Sequence, residues 1–189
     1  MLTPGERATL LRIARAALGH AARGADAPPA SIYEEALADP VLGQDRGVFV
    51  TLHAHGELRG CIGYVEGHGP LARSVAENAV SAATRDYRFR SVTPAELLDI
   101  DIEISVLTPL RDIAGPEDVV VGRDGLVASQ GGRRGLLLPQ VATEHDLPAD
   151  RFVEETCRKA GLPRDAWRHG ARLQAFSAEV FGEKEREAE

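Results

Sequence analysis

The sequence predicts a single α/β domain, and three observations carry that expectation. Residues 100–107 alternate strictly between apolar and polar, residues 47–65 read as a β-hairpin, and residues 3–19 and 70–85 carry apolar stripes at helical spacing.

Thr3 and Glu6 form a capping-box pattern with Pro4 at the first helical position, and Leu10, Leu11, Ala14, Ala17 and Leu18 make the stripe of a helix that ends near Gly19. Residues 23–30, rich in Gly, Ala, Asp and Pro, mark a loop, and a short helical piece is expected over 31–37. The hairpin follows. A three-residue loop of Ala54, His55 and Gly56, with Gly56 in the left-handed bulge position, pairs Phe49 with Cys61 and Thr51 with Arg59. That register collects Val48, Val50, Leu52, Leu58, Gly60 and Ile62 on an apolar face. Phe49, Thr51, His53, Glu57, Arg59 and Cys61 share the other face. A two-residue loop would mix Arg59 with Val50 and Leu52, which is why the longer loop is preferred.

Pro70 starts the second helix, whose apolar positions Leu71, Val75, Ala79, Ala82 and Ala83 carry it to about Arg85. A short helix over 94–98 precedes the alternating strand, in which Ile102, Ile104 and Val106 point to a core and Asp101, Glu103 and Ser105 to a polar side. Residues 119–122, 125–130 and 134–138 read as short strands of a smaller lobe, with Gly131 and Gly132 in a tight turn. Residues 148–160 form a helix stopped by Gly161 and Pro163, 172–181 a last strand, and 183–189 a charged, frayed tail.

The composition bounds the function. A formal charge of −7 gives no overall attraction for nucleic-acid phosphates or anionic membranes, so neither partner is expected. Cys61 and Cys157 stand far apart and form no CxxC pair, so neither a disulfide framework nor a zinc site is signalled. No apolar run approaches the roughly 20 residues that span a bilayer, and residues 1–6 have no signal-peptide character, so a cytoplasmic setting is expected.

Residues 47–52 together with Leu58-Arg59-Gly60-Cys61-Ile62-Gly63, then Asn78, residues 83–86, Arg88 and Phe89, resemble the AMMECR family. Residues 102–107, 132–141 and 159–163 with Trp167 extend the resemblance to roughly residues 5–182, almost the whole chain. The resemblance implies a mostly antiparallel sheet flanked by helices, with a larger lobe (about 1–110 and 148–182) and a smaller lobe (about 111–147). It places the Leu58 to Gly63 strand near a cleft between the lobes. It also implies a pathway shared with a Memo-like protein and a radical-SAM protein, as an association and not a mechanism.

Cys61 is the sharpest candidate for chemistry: Arg59 on the same face would stabilise a thiolate, and His53 or Glu103 would carry protons. Against this, a cysteine between glycines on a strand also fits a small buried filler. Arg59, Gly60 and Gly63 are candidates for binding substrate, the glycines by allowing close approach of a ligand or of another backbone. Asp86, Arg88, Ser105 and Gln140 join them, although the Arg85 to Phe89 turn also reads as helix-dipole compensation with a Phe anchor. Arg59 and Glu103 would pair across a cleft or form a structural salt bridge. The turn at Gly67, His68 and Gly69 lacks the spacing of a phosphate loop, and His53 with His55 and either His68 or Glu57 makes an incomplete metal set. No metal or cofactor is expected. Two readings stand: an enzyme or enzyme component acting on a small polar or anionic molecule, and a noncatalytic module that organises the Memo-like and radical-SAM partners.

Overall fold

The capping box at Thr3 forms as the sequence requires: its hydroxyl accepts from the Glu6 N–H, and the Glu6 carboxylate accepts from the Thr3 N–H. The computed structural model, which describes residues 1–184, continues this helix (α1, Pro4–Ala22) past Gly19, because Ala21 and Ala22 extend the buried stripe. The piece expected at 31–37 is two 3₁₀ turns, Ala30–Ile32 and Glu35–Ala38. The remaining elements are β1 (Val48–Ala54), β2 (Glu57–Tyr64), α2 (Leu71–Thr84), β3 (Ile100–Leu107), β4 (Arg111–Ile113), β5 (Asp124–Gln130) and β6 (Arg133–Leu137). After them come α3 (Pro139–Glu144), α4 (Ala149–Lys159) and β7 (Arg172–Gly182). The described strand pairs whose registers are defined are all antiparallel, so the mixed α/β architecture agrees with expectation.

The chain divides into two units. Unit 1 holds residues 1–107 and 179–184, and unit 2 holds 108–178. Residues 148–178, expected with the larger lobe, belong instead to unit 2, because α4 seals β5 and β6. Glu183, expected in a frayed tail, is anchored: it pairs with Arg15 and exchanges hydrogen bonds with Ile102, while 185–189 lie outside the described residues.

In unit 1 the strand order is β2-β1-β3, followed by the end of β7. Val48, Val50, Leu52, Ile102, Ile104 and Val106 form the apolar face and pack in one core with α1 and α2. Each such side chain contributes about 1.5–3 kcal/mol on burial. A one-residue slip would put Thr51 and Glu103 in their place, so the face assignment is strongly specified.

The hairpin register differs from the expected one by two residues. His55 and Gly56 both take positive φ (54° and 86°), giving a two-residue turn whose twist suits the strands, and Ala54 pairs with Glu57. A bulge opposite Leu52 and His53 then leaves Arg59 as the extra residue of β2, so Thr51 faces Cys61 and Phe49 faces Gly63. The shift is even, so Gly60, Cys61, Ile62 and Gly63 keep their expected faces. Leu58, beyond the bulge, moves beside His53 and is exposed.

In unit 2 the order is β6-β5-β7, with β4 on the other side of β7. Leu126, Ala128, Phe152, Val153, Cys157 and Leu173 form its core. Residues 119–122, expected as a strand, are not one: 119–120 are irregular and 121–123 form a turn with Gly122 at φ 83°. The cause is Asp124, which is buried. Burial pushes its carboxyl up, but hydrogen bonds from Arg123 and the Val120 N–H, with the charges of Arg123 and Arg111, outweigh this and hold it below its ordinary value.

Gly60 illustrates how tightly the apolar face is packed. A Cβ there would stand 2.3 Å from the Ala82 carbonyl oxygen of α2. Gly60→Ala is therefore expected to lower unfolding free energy by about 1–3 kcal/mol in urea denaturation. An unchanged midpoint would contradict that close approach.

Candidate functional site

On the face of the unit 1 sheet turned away from α1 and α2, the registers line up three rows. Gly63, Phe49 and Ser105 form the first, Cys61, Thr51 and Glu103 the second, and Leu58, His53 and Asp101 the third. Cys61 is half-buried, which sets it apart from the fully buried Cys157, whose thiol is pushed up by burial. The Thr51 hydroxyl donates to the Cys61 sulfur at 3.3 Å.

Cys61 sits on an edge strand, so its outward N–H needs a partner. The turn after α2 supplies it: Asp86 accepts this N–H at 2.9 Å. The same carboxylate, 3% exposed, accepts from Arg88 Nε at 2.9 Å and from Arg88 Nη2 at 2.7 Å. These bonds, first that from Arg88, hold the Asp86 carboxyl far below the carboxylate range against the cost of burial. Arg88 in turn keeps its proton more tightly, chiefly through Asp86, with a smaller contribution from Cys61. Asp86, expected to bind substrate, is thus committed to internal donors. Arg88 remains half open to solvent.

Arg59, expected to activate Cys61, does something else. Displaced by the bulge, it donates to Glu96 Oε1 and to the Arg90 carbonyl, both at 2.9 Å, and lies 5.9 Å from the Phe89 ring centroid. The salt bridge expected with Glu103 is made with Glu96 instead. Glu96 was not among the expected site residues, although the Thr93-x-x-Glu96 capping-box spacing marks it: its carboxylate also accepts the Thr93 N–H at 2.8 Å. Together, first the Arg59 bond and then the Thr93 N–H lower the Glu96 carboxyl to about 2.

Gly60 faces α2, so its missing side chain serves helix packing and not a ligand. Gly63 lies on the polar face, but a Cβ there would stand 2.5 Å from Phe49, so it too answers to a neighbouring backbone. His53 and Glu103 gather at the other side of Thr51 with Asp101, Gly182 and Lys184, around a small pocket of about 170 Å³. Lys184 Nζ stands 2.5 Å from Asp101 Oδ2 there. Ser105 lies in the row of Phe49, and Gln140 is an exposed residue of α3 in unit 2. Among the described residues, no group of three or more His, Cys, Asp or Glu is placed to hold a metal ion. No helix of the described residues is long and apolar enough to cross a membrane.

A carboxylate depressed by folding stabilises the folded state above its unfolded pKa, and that contribution is lost as pH falls through the folded value. Asp86 and Glu96 are both depressed, so stability is expected to fall as pH drops from about 4.5 toward about 2. In urea denaturation across this range, Asp86→Asn is expected to flatten the decline. A variant curve parallel to the wild type would remove Asp86 as its source.

The chain is similar in sequence and fold to known proteins. A protein of Methanothermobacter thermautotrophicus is 47% identical over 189 residues, covering 96% of each chain. One of Thermofilum pendens is 41% identical over 201 residues, covering 96% of this chain and 92% of its own. The crystal structure of the uncharacterized protein PH0010 from Pyrococcus horikoshii shares the fold with a TM-score of 0.72 and 37% identity, over 93% of this chain and 90% of that one. The AMMECR1 family model matches residues 11–181, and the chain belongs to the AMMECR1 family.

Proposed function

We propose that the polar face of the unit 1 sheet is the working face of this protein, and that Cys61 is its reacting group toward a small polar or anionic molecule. The observation that carries this reading is the environment of the sulfur. The Thr51 hydroxyl donates to it at 3.3 Å, and the bond from the Cys61 N–H to Asp86, which also holds Arg88, fixes the backbone that presents it. Arg88, paired on one edge and half exposed on the other, is suited to meet an anionic group.

Glu103 stands two strand spacings from Cys61, about 10 Å between backbones, with Thr51 between them. At that separation it serves the substrate or a water, and not the thiol itself. His53 is nearer, on the strand beside that of Cys61 and one row away, a diagonal neighbour at roughly 7–8 Å.

A second reading, a noncatalytic module for Memo-like and radical-SAM partners, is favoured by a different observation. Leu58, Tyr64 and Tyr87, on β2 and the turn after α2, are exposed apolar side chains of the kind that anchor interfaces.

Alkylation separates the two. In the native protein iodoacetamide is expected to modify Cys61 at least about tenfold faster than Cys157, and Thr51→Val is expected to slow the Cys61 rate about threefold or more. A gene deletion rescued fully by Cys61→Ala, but not by a variant in which Leu58 and Tyr64 are replaced by Ser, would exclude the thiol chemistry and favour the module.

A further inference from the structure

Unit 2 contains a pocket of about 570 Å³ that has no part in the thiol chemistry. Its floor is apolar: Leu137 at the end of β6, Val141 on α3 and Leu147 in the following loop, all half-buried against the core beneath. Its rim is cationic. Arg158 and Lys159 project from the last turn of α4, and His145 closes α3. We propose that this pocket binds a small carboxylate with an apolar body, the tail on the Leu137, Val141 and Leu147 floor and the carboxylate at Arg158 and Lys159.

The volume lies within the range of ligand pockets, and an apolar floor with a few placed polar groups is their usual lining. The walls are held by backbone bonds. The Leu147 N–H donates to the Ala142 carbonyl at 2.8 Å, the His145 N–H to that of Val141 at 3.3 Å, and the Phe152 N–H to that of Pro148 at 2.9 Å. Little ordering is therefore left for a ligand to cause.

Charge decides which end group fits. The rim holds one carboxylate, Glu155, and it is already neutralised by Arg158 at 2.7 Å and Arg164 at 3.1 Å. Lys159 has no carboxylate partner among the described residues. The local balance is positive in a chain whose formal charge is −7, so the rim is not a sample of the general surface. Basic residues in a last helical turn also complement the helix dipole, but the dipole does not require an apolar floor beside them.

Octanoate is a direct probe, with acetate and octylammonium as controls. Titrations of the full chain are followed by amide nitrogen–proton spectra. Octanoate is expected to shift the Leu137, Val141 and Leu147 signals saturably, with a Kd between tens of micromolar and about a millimolar. Neither acetate nor octylammonium is expected to do so. Lys159 is exposed, so Lys159→Glu is expected to leave the fold intact and weaken octanoate at least about fivefold. Absence of saturable shifts, octylammonium binding as tightly as octanoate, or an affinity unmoved by Lys159→Glu would each overturn the proposal.

Discussion

The buried Asp86 carboxylate is the interaction on which the unit 1 site depends. A charge so far from water is costly unless fully bonded, and here one side chain takes the edge N–H of Cys61 and the fork of Arg88. The bonds are mutually enforcing. Asp86 can be buried because Arg88 and the strand edge pair with it, and the strand edge is closed to other chains at this point because Asp86 occupies it. Unit 2 uses the same chemistry elsewhere: Asp124 is buried between Arg111 and Arg123 and holds the Val120 N–H. In both places a short acidic side chain ties a loop to a strand, and arginines left part exposed bring the compensating charge.

Arginine therefore plays two separate roles around the β2 strand. Arg59 is locked to Glu96 and the Arg90 carbonyl, where it joins the strand to the loop before β3. Arg88 is held on one edge only. The polar face consequently has two electrostatic centres: one around Cys61 and Arg88, the other around Asp101, Glu103 and Lys184. Thr51 stands between them and touches the first through its hydroxyl.

What was legible in the sequence was whatever a short-range pattern determines. Alternation over Ile100–Leu107 gave a strand with the correct faces, and helical spacing gave α1 and α2. The polar face was legible for the same reason, because parity survives a register error of two. The turn was not: a two-residue loop without a bulge would put Arg59 on the apolar face, and the bulge that takes Arg59 out of the ladder has no sequence signature. The exchange of Arg59 for Arg88 as the cation near Cys61 follows from that bulge and from the fold of the 85–90 turn, which are tertiary facts. The β4 strand and α3 were missed because three and six residues give too little periodicity to read.

The β7 strand gives the chain a particular order of assembly. Glu179 receives the Leu2 N–H and the Arg7 guanidinium, and Glu183 receives Arg15 and the Ile102 N–H, so the two segments of unit 1 are joined by residues made after all of unit 2. During synthesis, α1, β1, β2, α2 and β3 emerge well before the segment that completes them, and all of unit 2 is produced in the interval. Unit 2 is continuous in sequence, so all of it is present once Ala178 has been made; unit 1 must wait for a later segment, carrying the closure entropy of a long loop. Its nascent form exposes the β3 edge until the end of β7 arrives, which makes that edge the interval's point of exposure to mispairing.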